Sequence, residues 1–366
     1  MTTPASLAKR FQDHLNCTKD HIVQRIQAVF ESFDTDTIAK RATRSWARRN
    51  PHLFCGLVLV VTFADDTDVI VRLAKSCHNT PPSEEVARLV FESEVATLKY
   101  LKANTSIPVP EVYYSNSDPK EVGARYMIIE RINGLPLEHD WDSMSHDQQQ
   151  DIVTQWAAMQ AELFKRPFNE IGSLTTEAGA VGPLMPSCLT EYTLRKPHWG
   201  PFDSSLGLLA GHVSSVLDGL EENAENRNFF ERLLGAIRAL PADKFHNECF
   251  VLFHDDLSRG NILFARPSKI VGVIDWQGSS ILPVWATFQH NDFLTGTAEE
   301  AVLRQTLRAI TEDTPLPPPL DPVLRELLSL VTGVEGQGLG KLRACFAELT
   351  GPFAWLSEPF LSLMGE

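Results

Sequence analysis

The densest chemistry in this 366-residue chain lies in Phe250-Val-Leu-Phe-His-Asp-Asp-Leu-Ser-Arg-Gly-Asn-Ile-Leu-Phe264 and in Ile270-Val-Gly-Val-Ile-Asp-Trp276. An apolar run, 250–253, ends in the cluster His254, Asp255, Asp256. A loop with Gly260 leads to Asn261 and a second apolar run, 262–264. A turn at Arg266-Pro-Ser then opens a third run, 270–274, closed by Asp275. Asn261 follows Asp256 by five residues and Asp275 follows it by nineteen. A loop and a hairpin of that length can carry all three to one end of one small sheet. Three oxygen-bearing side chains meeting there suit a hard cation such as Mg2+, which takes few carboxylates and leaves room for phosphate oxygens. Asp and Asn are also common in loops for purely conformational reasons. The conjunction with a strand before, a strand after and a further strand ending in Asp favours function, because polar groups facing a cleft are costly unless paired or used.

The elements that must position these residues follow from periodicity. Alternation predicts strands at 56–64 and 68–73, joined by the turn Asp65-Asp66-Thr67. Val86, Leu89, Val90, Leu98 and Leu101 mark a long helix over 83–103, and two more strands are expected at 111–115 and 125–132. Strands with one large inserted helix make an α+β pattern. The composition changes past Asn133-Gly134. Ser145-His-Asp-Gln148 is a capping box opening a helix to about Phe164. The Pro/Gly-rich stretch 167–207 reads as a long loop insertion. Helices are expected at 212–222, 226–239, 298–311, 321–332 and 338–350, and a further one at 20–33 with Ile22, Ile26, Val29, Phe30 and Phe33 on one stripe. The expected division is an N-terminal helical extension 1–34, a first lobe 35–132 and a larger, mainly helical lobe 133–366.

Composition narrows the function classes. Hydrophobic residues are 43% and charged residues 22%, as in globular proteins. The net charge of −14 disfavours a nucleic-acid partner, whose phosphates it would repel. No run reaches the roughly 20 apolar residues of a membrane span, and no hydrophobic signal core opens the chain. Six cysteines without a CxxC pair argue against a zinc site or disulfide framework and for a reducing compartment. The expectation is a cytoplasmic protein; Lys9 and Arg10, with no acid before Asp13, leave a mitochondrial address as the alternative.

The run His254-Asp255-Asp256-Leu257-Ser258-Arg259-Gly260-Asn261 resembles the catalytic loop of the aminoglycoside phosphotransferase and choline kinase family, which is related to protein kinases and their His-Arg-Asp-Leu-x-x-x-Asn loop. Val273-Ile274-Asp275-Trp276 resembles that family's metal-binding Ile-Asp-Trp. Phe91-Glu-Ser-Glu94, Ile107-Pro-Val-Pro110 and Tyr126-Met-Ile-Ile-Glu130-Arg-Ile-Asn-Gly134 resemble its first-lobe helix, the exit from it and the hinge. The likeness runs from about residue 54 to about 295 and is similar above all to fungal members.

The resemblance implies a two-lobed protein-kinase-like α+β fold. Its N-lobe is a small antiparallel sheet with one long helix and binds nucleotide; its larger, mainly helical C-lobe carries the catalytic loop and the acceptor site. It implies ATP and Mg2+ as cofactors, and transfer of the γ-phosphoryl group to a hydroxyl of a small molecule. Asp256 would orient or deprotonate that hydroxyl. Asn261 and Asp275 would hold Mg2+. Arg72 would grip phosphates, and Glu94 would pair with it. Backbone groups of Glu130 and Ile132 would bind the adenine edge. The phosphate-covering turn offers one glycine, Gly56, where relatives are glycine-rich. Two other readings stay open: a pseudokinase acting as a binding module, and another ATP-dependent transfer on the same fold. The acceptor's identity and the oligomeric state have no signature in the sequence.

Overall fold

A computed structural model describes residues 56–62, 68–74, 83–120, 124–185, 198–220, 227–239, 248–254 and 256–284. The helices expected at 20–33, 298–311, 321–332 and 338–350 lie outside these residues, as do the turn 65–67 and Asp255. The described residues form two compact units, one of 56–91 with 110–132 and one of 92–109 with 133–284.

The smaller unit is built on a four-stranded antiparallel sheet in the order β1-β2-β4-β3: β1 is Gly56–Thr62, β2 Asp68–Ala74, β3 Val112–Asn116 and β4 Arg125–Glu130. β2 shows why this sequence makes a strand. Val69, Val71 and Leu73 are buried while the residues between them are half-buried, the period of two that a pleated strand imposes. β4 lies between two strands, and residues 125–128 are all buried. Arg125 is among them; its guanidinium is ion-paired with Glu84, which opens helix α1, Glu84–Asn104. Acids at the start of α1 (Glu84, Glu85) and Lys102 near its end oppose the helix dipole at both termini.

In the larger unit, α2 (His146–Phe164) begins with the expected capping box. Ser145 Oγ accepts from Gln148 N at 3.3 Å and Gln148 Oε1 from Ser145 N at 2.9 Å. Trp156, Ile152, Val153 and Phe164 bury its inner face. Two more helices follow, α3 (Ser205–Gly219) and α4 (Arg227–Ala239). The strands are β5 (Leu135–Pro136), β6 (Ser173–Leu174), β7 (Val181–Gly182), β8 (Phe250–Phe253), β9 (Ile262–Ala265), β10 (Lys269–Val273) and β11 (Ser280–Pro283).

Three expectations change here. First, the segment 250–275 does not form one small sheet. β8 pairs with β11, while β9 and β10 pair with each other and β9 also pairs with β5. The two short strands β5 and β11 escape sequence reading because each carries a proline and too few residues to show a period. Second, the insertion 167–207 is not a plain loop. β6 and β7 form a hairpin, and bridges tie Phe168 to Phe250, Ile171 to Phe202 and Gly172 to Ile281. Third, α3 starts seven residues before the expected 212. Ser204 caps it, with Oγ accepting from Gly207 N at 3.2 Å. Gly207 and Gly211 blur its apolar pattern: the face left bare at Gly211 is covered by the Phe202 ring, and Gly207 lies against the Ser204 and Asp203 side chains.

Candidate active site

All four residues of β8 are buried and deliver the chain to His254, itself 3% exposed. His254 Nε2 donates to the backbone oxygen of Ile274 at 3.0 Å, since a carbonyl can only accept. Its ring lies 4.6 Å from the Trp276 ring. His254 therefore braces the loop against the strand end that carries Asp275.

Asp256 is exposed. Its backbone oxygen accepts from Asn261 Nδ2 at 2.7 Å, which closes the loop on itself. Leu257 is buried and roots the loop in the unit. Asn261 N donates to Ser258 O at 3.0 Å, and Asn261 O accepts from Ile274 N at 2.9 Å. One asparagine thus joins the residue expected to act on the acceptor to the residue just before Asp275. With its NH2 donating to Asp256 O, the amide of Asn261 has its oxygen left as an acceptor.

Asp275 has φ 63°, the one positive value at a non-glycine among the described residues. Asp is one of the few residues that enter this left-handed region, at a cost of about 1–2 kcal/mol. The cause is next door. Trp276 is fully buried, its Nε1 donates to Val273 O at 3.0 Å, and Ser279 Oγ donates to Trp276 O at 2.7 Å. Val273 N donates to Pro108 O at 2.8 Å. The chain must leave β10, bury Trp276 at once and keep Asp275 at the exposed tip between them. Such strain persists only where the surroundings hold it, and it is common at functional sites. The Ile-Asp-Trp likeness includes Trp276, but its role as the anchor that aims Asp275 is not legible there, because it depends on burial.

The residues fit a divalent cation. Asp275 and Asn261 offer oxygen donors only, as a hard ion prefers, and Asp275 is exposed. Among the described residues no three His, Cys, Asp or Glu side chains gather as a metal cage. A metal here would draw its remaining ligands from water and phosphate, the habit of Mg2+. A cavity of about 20 Å3 lies behind the loop, between Trp156 and Gln160 of α2 and Leu252, His254 and Leu257; it has room for about one water and none for an acceptor.

The other expected residues divide between the units. Gly56 opens β1 opposite Ala74. Arg72 is half-buried on β2, in register with Val58 and Met127. Glu130 ends β4; its N–H donates to Glu111 O at 2.9 Å and its Oε2 accepts from Glu111 N at 3.1 Å, so its side chain is turned to the sheet edge. Ile132, two residues on, is half-buried. Glu94 is 4% exposed on α1, in the part of that helix belonging to the larger unit.

Two compact α+β units, one with a small antiparallel sheet and one carrying the His254–Asn261 loop and Asp275, define a kinase-like class. A solved structure from Ralstonia eutropha, assigned as an aminoglycoside phosphotransferase, shares the fold with a TM-score of 0.51 over 93% of this chain and 97% of its own, at 12% identity. The chain belongs to the phosphotransferase enzyme family, whose model matches residues 58–288. Among curated relatives, a subtelomeric hrmA-associated cluster protein of Aspergillus fumigatus is 35% identical over 292 residues, covering 62% of this chain and 56% of that protein. A clavilactone A biosynthesis cluster protein of Ampulloclitocybe clavipes is 26% identical over 241 residues, covering 62% and 59%. The chain thus spans somewhat over half the length of these relatives. No helix among the described residues is long and apolar enough to cross a membrane.

Proposed function

We propose that this chain is an ATP- and Mg2+-dependent small-molecule kinase that moves the γ-phosphoryl group of ATP to a hydroxyl of its acceptor. The observation that carries the reading is the tie through Asn261: its side chain to Asp256 O, its backbone oxygen to Ile274 N. Phosphoryl transfer asks for positioning and charge neutralisation more than for covalent chemistry, and this loop supplies positioning. In this reading Asp256 accepts or orients the acceptor's hydroxyl proton. Asn261 and Asp275 are the Mg2+ ligands, and the ion would neutralise charge on the phosphates. Arg72 grips the phosphates and Glu94 pairs with it, Gly56 belongs to the phosphate-covering turn, and the Glu130 and Ile132 backbone meets the adenine edge. Residues 35–132 are assigned to nucleotide and 133–366 to catalysis and acceptor. A relative named for a biosynthesis cluster is in keeping with a small-molecule acceptor. The cytoplasm is the compartment proposed.

The test is thermal unfolding with ATP, with and without Mg2+. A native-state ligand at a hundred times its Kd stabilises by about 2.7 kcal/mol. The expected result is a rise in Tm with Mg2+ and ATP together that neither gives alone, followed by a phosphorylated product in a screen of hydroxylated metabolites read by mass. A chain indifferent to Mg2+ at millimolar ATP would be a binding module and not a kinase.

A further inference from the structure

The geometry points to Arg259 as a positioning residue. We propose that it locks the outer side of the loop 254–261 to the segment 135–143 and thereby sets where the Asp256 carboxylate stands. This rests on the kinase reading of the loop.

The loop is rooted at both ends, by buried His254 and Leu257 on one side and by Ile262 in β9 on the other. Between these roots Ser258 and Arg259 are half-buried and Gly260 is buried. Arg259 sits there and makes three different contacts with one neighbouring segment. Its guanidinium carbon lies 4.9 Å from the centroid of the Trp141 ring. Its Nη1 lies 3.5 Å from Asp142 Oδ1. Its backbone oxygen accepts from Glu138 N at 3.2 Å. The contacts differ in weight. The Asp142 side chain is 93% exposed, so water screens that pair. Trp141 is 4% exposed and presents a fixed aromatic face, which attracts either cation, but only a planar guanidinium can also lie flat on it and keep a donor for Asp142.

The segment is a firm support. β5 pairs with β9, which is the loop's own exit strand. Gly134 lets the segment come this close: a Cβ there would stand 2.7 Å from Val271 Cγ2. Trp141 O accepts from Gln149 Nε2 of α2 at 2.9 Å, and Asp140 Oδ2 meets Arg266 Nη2 at 2.7 Å. The Asp140–Arg266 contact provides a control. It too joins an arginine to this segment, but on the β9–β10 turn and away from Asp256, with the Arg266 side chain 71% exposed.

The experiment compares Arg259→Ala, Arg259→Lys and Arg266→Ala in the full chain. One readout is hydrogen exchange at the amides of Glu138 and Asn261, which needs no activity. The other is Mg·ATP turnover with water as acceptor, resolved into kcat and KM. Arg259→Ala should speed exchange at both amides by at least about tenfold, a local opening. It should lower kcat by about ten- to a hundredfold, the usual result of misplacing a catalytic group, and leave KM for ATP within about threefold. Arg259→Lys should restore less than half of either loss, and Arg266→Ala should match the parent in both. Should Arg259→Ala not fold, Arg259→Lys carries the same comparison. Unchanged exchange at Asn261 on loss of the guanidinium, full rescue by lysine, or equal effects of Arg266→Ala would overturn the proposal. A parent chain with no Mg·ATP turnover either on water or on any hydroxylated acceptor of the screen would end the kinase reading, and the exchange result would still decide the role of Arg259.

Discussion

Asp256 and Asp275 are both exposed carboxylates, yet the backbone holds them in different ways. Asp256 stands on a loop closed by Asn261, and Asp275 on a left-handed tip braced by Trp276. Their substitutions should separate. Asp256→Asn keeps the shape and loses the charge, so Mg·ATP binding should persist while turnover falls by at least about a hundredfold. Asp275→Asn should lose the Mg2+-dependent part of nucleotide binding, measured by calorimetry with and without the ion. Asparagine is the informative replacement at 275 because it also tolerates positive φ, so lost binding reports a lost ligand and not a strained turn. Identical behaviour of the two variants would merge the roles. The residue types and spacing of Asp256, Asn261 and Asp275 are readable in the chain. The partners of Arg259 are not, since Trp141 and Asp142 lie more than a hundred residues upstream in a segment with no period of its own.

Elements differ in how openly the chain declares them. α2 shows its start in four residues because a capping box is a local hydrogen-bond exchange. α3 hides its first two turns because Gly207 and Gly211 interrupt its apolar pattern, and Gly211 serves a contact with the Phe202 ring and not a helical preference. Two helical glycines therefore make a paired prediction. A Cβ at Gly211 would stand 2.6 Å from the Phe202 ring, so Gly211→Ala should destabilise by about 1–3 kcal/mol through overpacking. Gly235 on α4 is exposed, and a methyl added there would meet nothing within 4 Å. Gly235→Ala should therefore stabilise by about 0.8–1 kcal/mol through helix propensity alone. Urea unfolding of both variants checks the signs, and a shared sign would mean that the Phe202 contact is not what excludes a side chain at 211.

For the molecule as a whole, acid should act through a buried histidine as well as through the surface charge. His212 on α3 is 9% exposed, and burial pushes its pKa down to about 4 from 6.5. It is neutral when folded and takes up a proton when unfolded between those values. Its contribution to stability is thus complete above about pH 6.5 and is lost as pH falls toward about 4. Between pH 7 and 5 the loss is about 2 kcal/mol, and a His212→Gln variant should lack that part of the pH dependence in urea melts. The strands of the smaller unit and the hard-cation chemistry of Asp256, Asn261 and Asp275 were legible in the sequence, because alternation and loop chemistry are written in neighbouring residues; the kinase-like class and the expectation of ATP came from the resemblance that those motifs carry. Strand partners were decided by the tertiary structure. β8 joins β11 and β9 joins β5, pairings between short strands whose only specification is which apolar faces meet in the core. The left-handed turn at Asp275 was decided there too, because it exists to satisfy the burial of Trp276, and burial is a property of the packed molecule that no local run of residues contains.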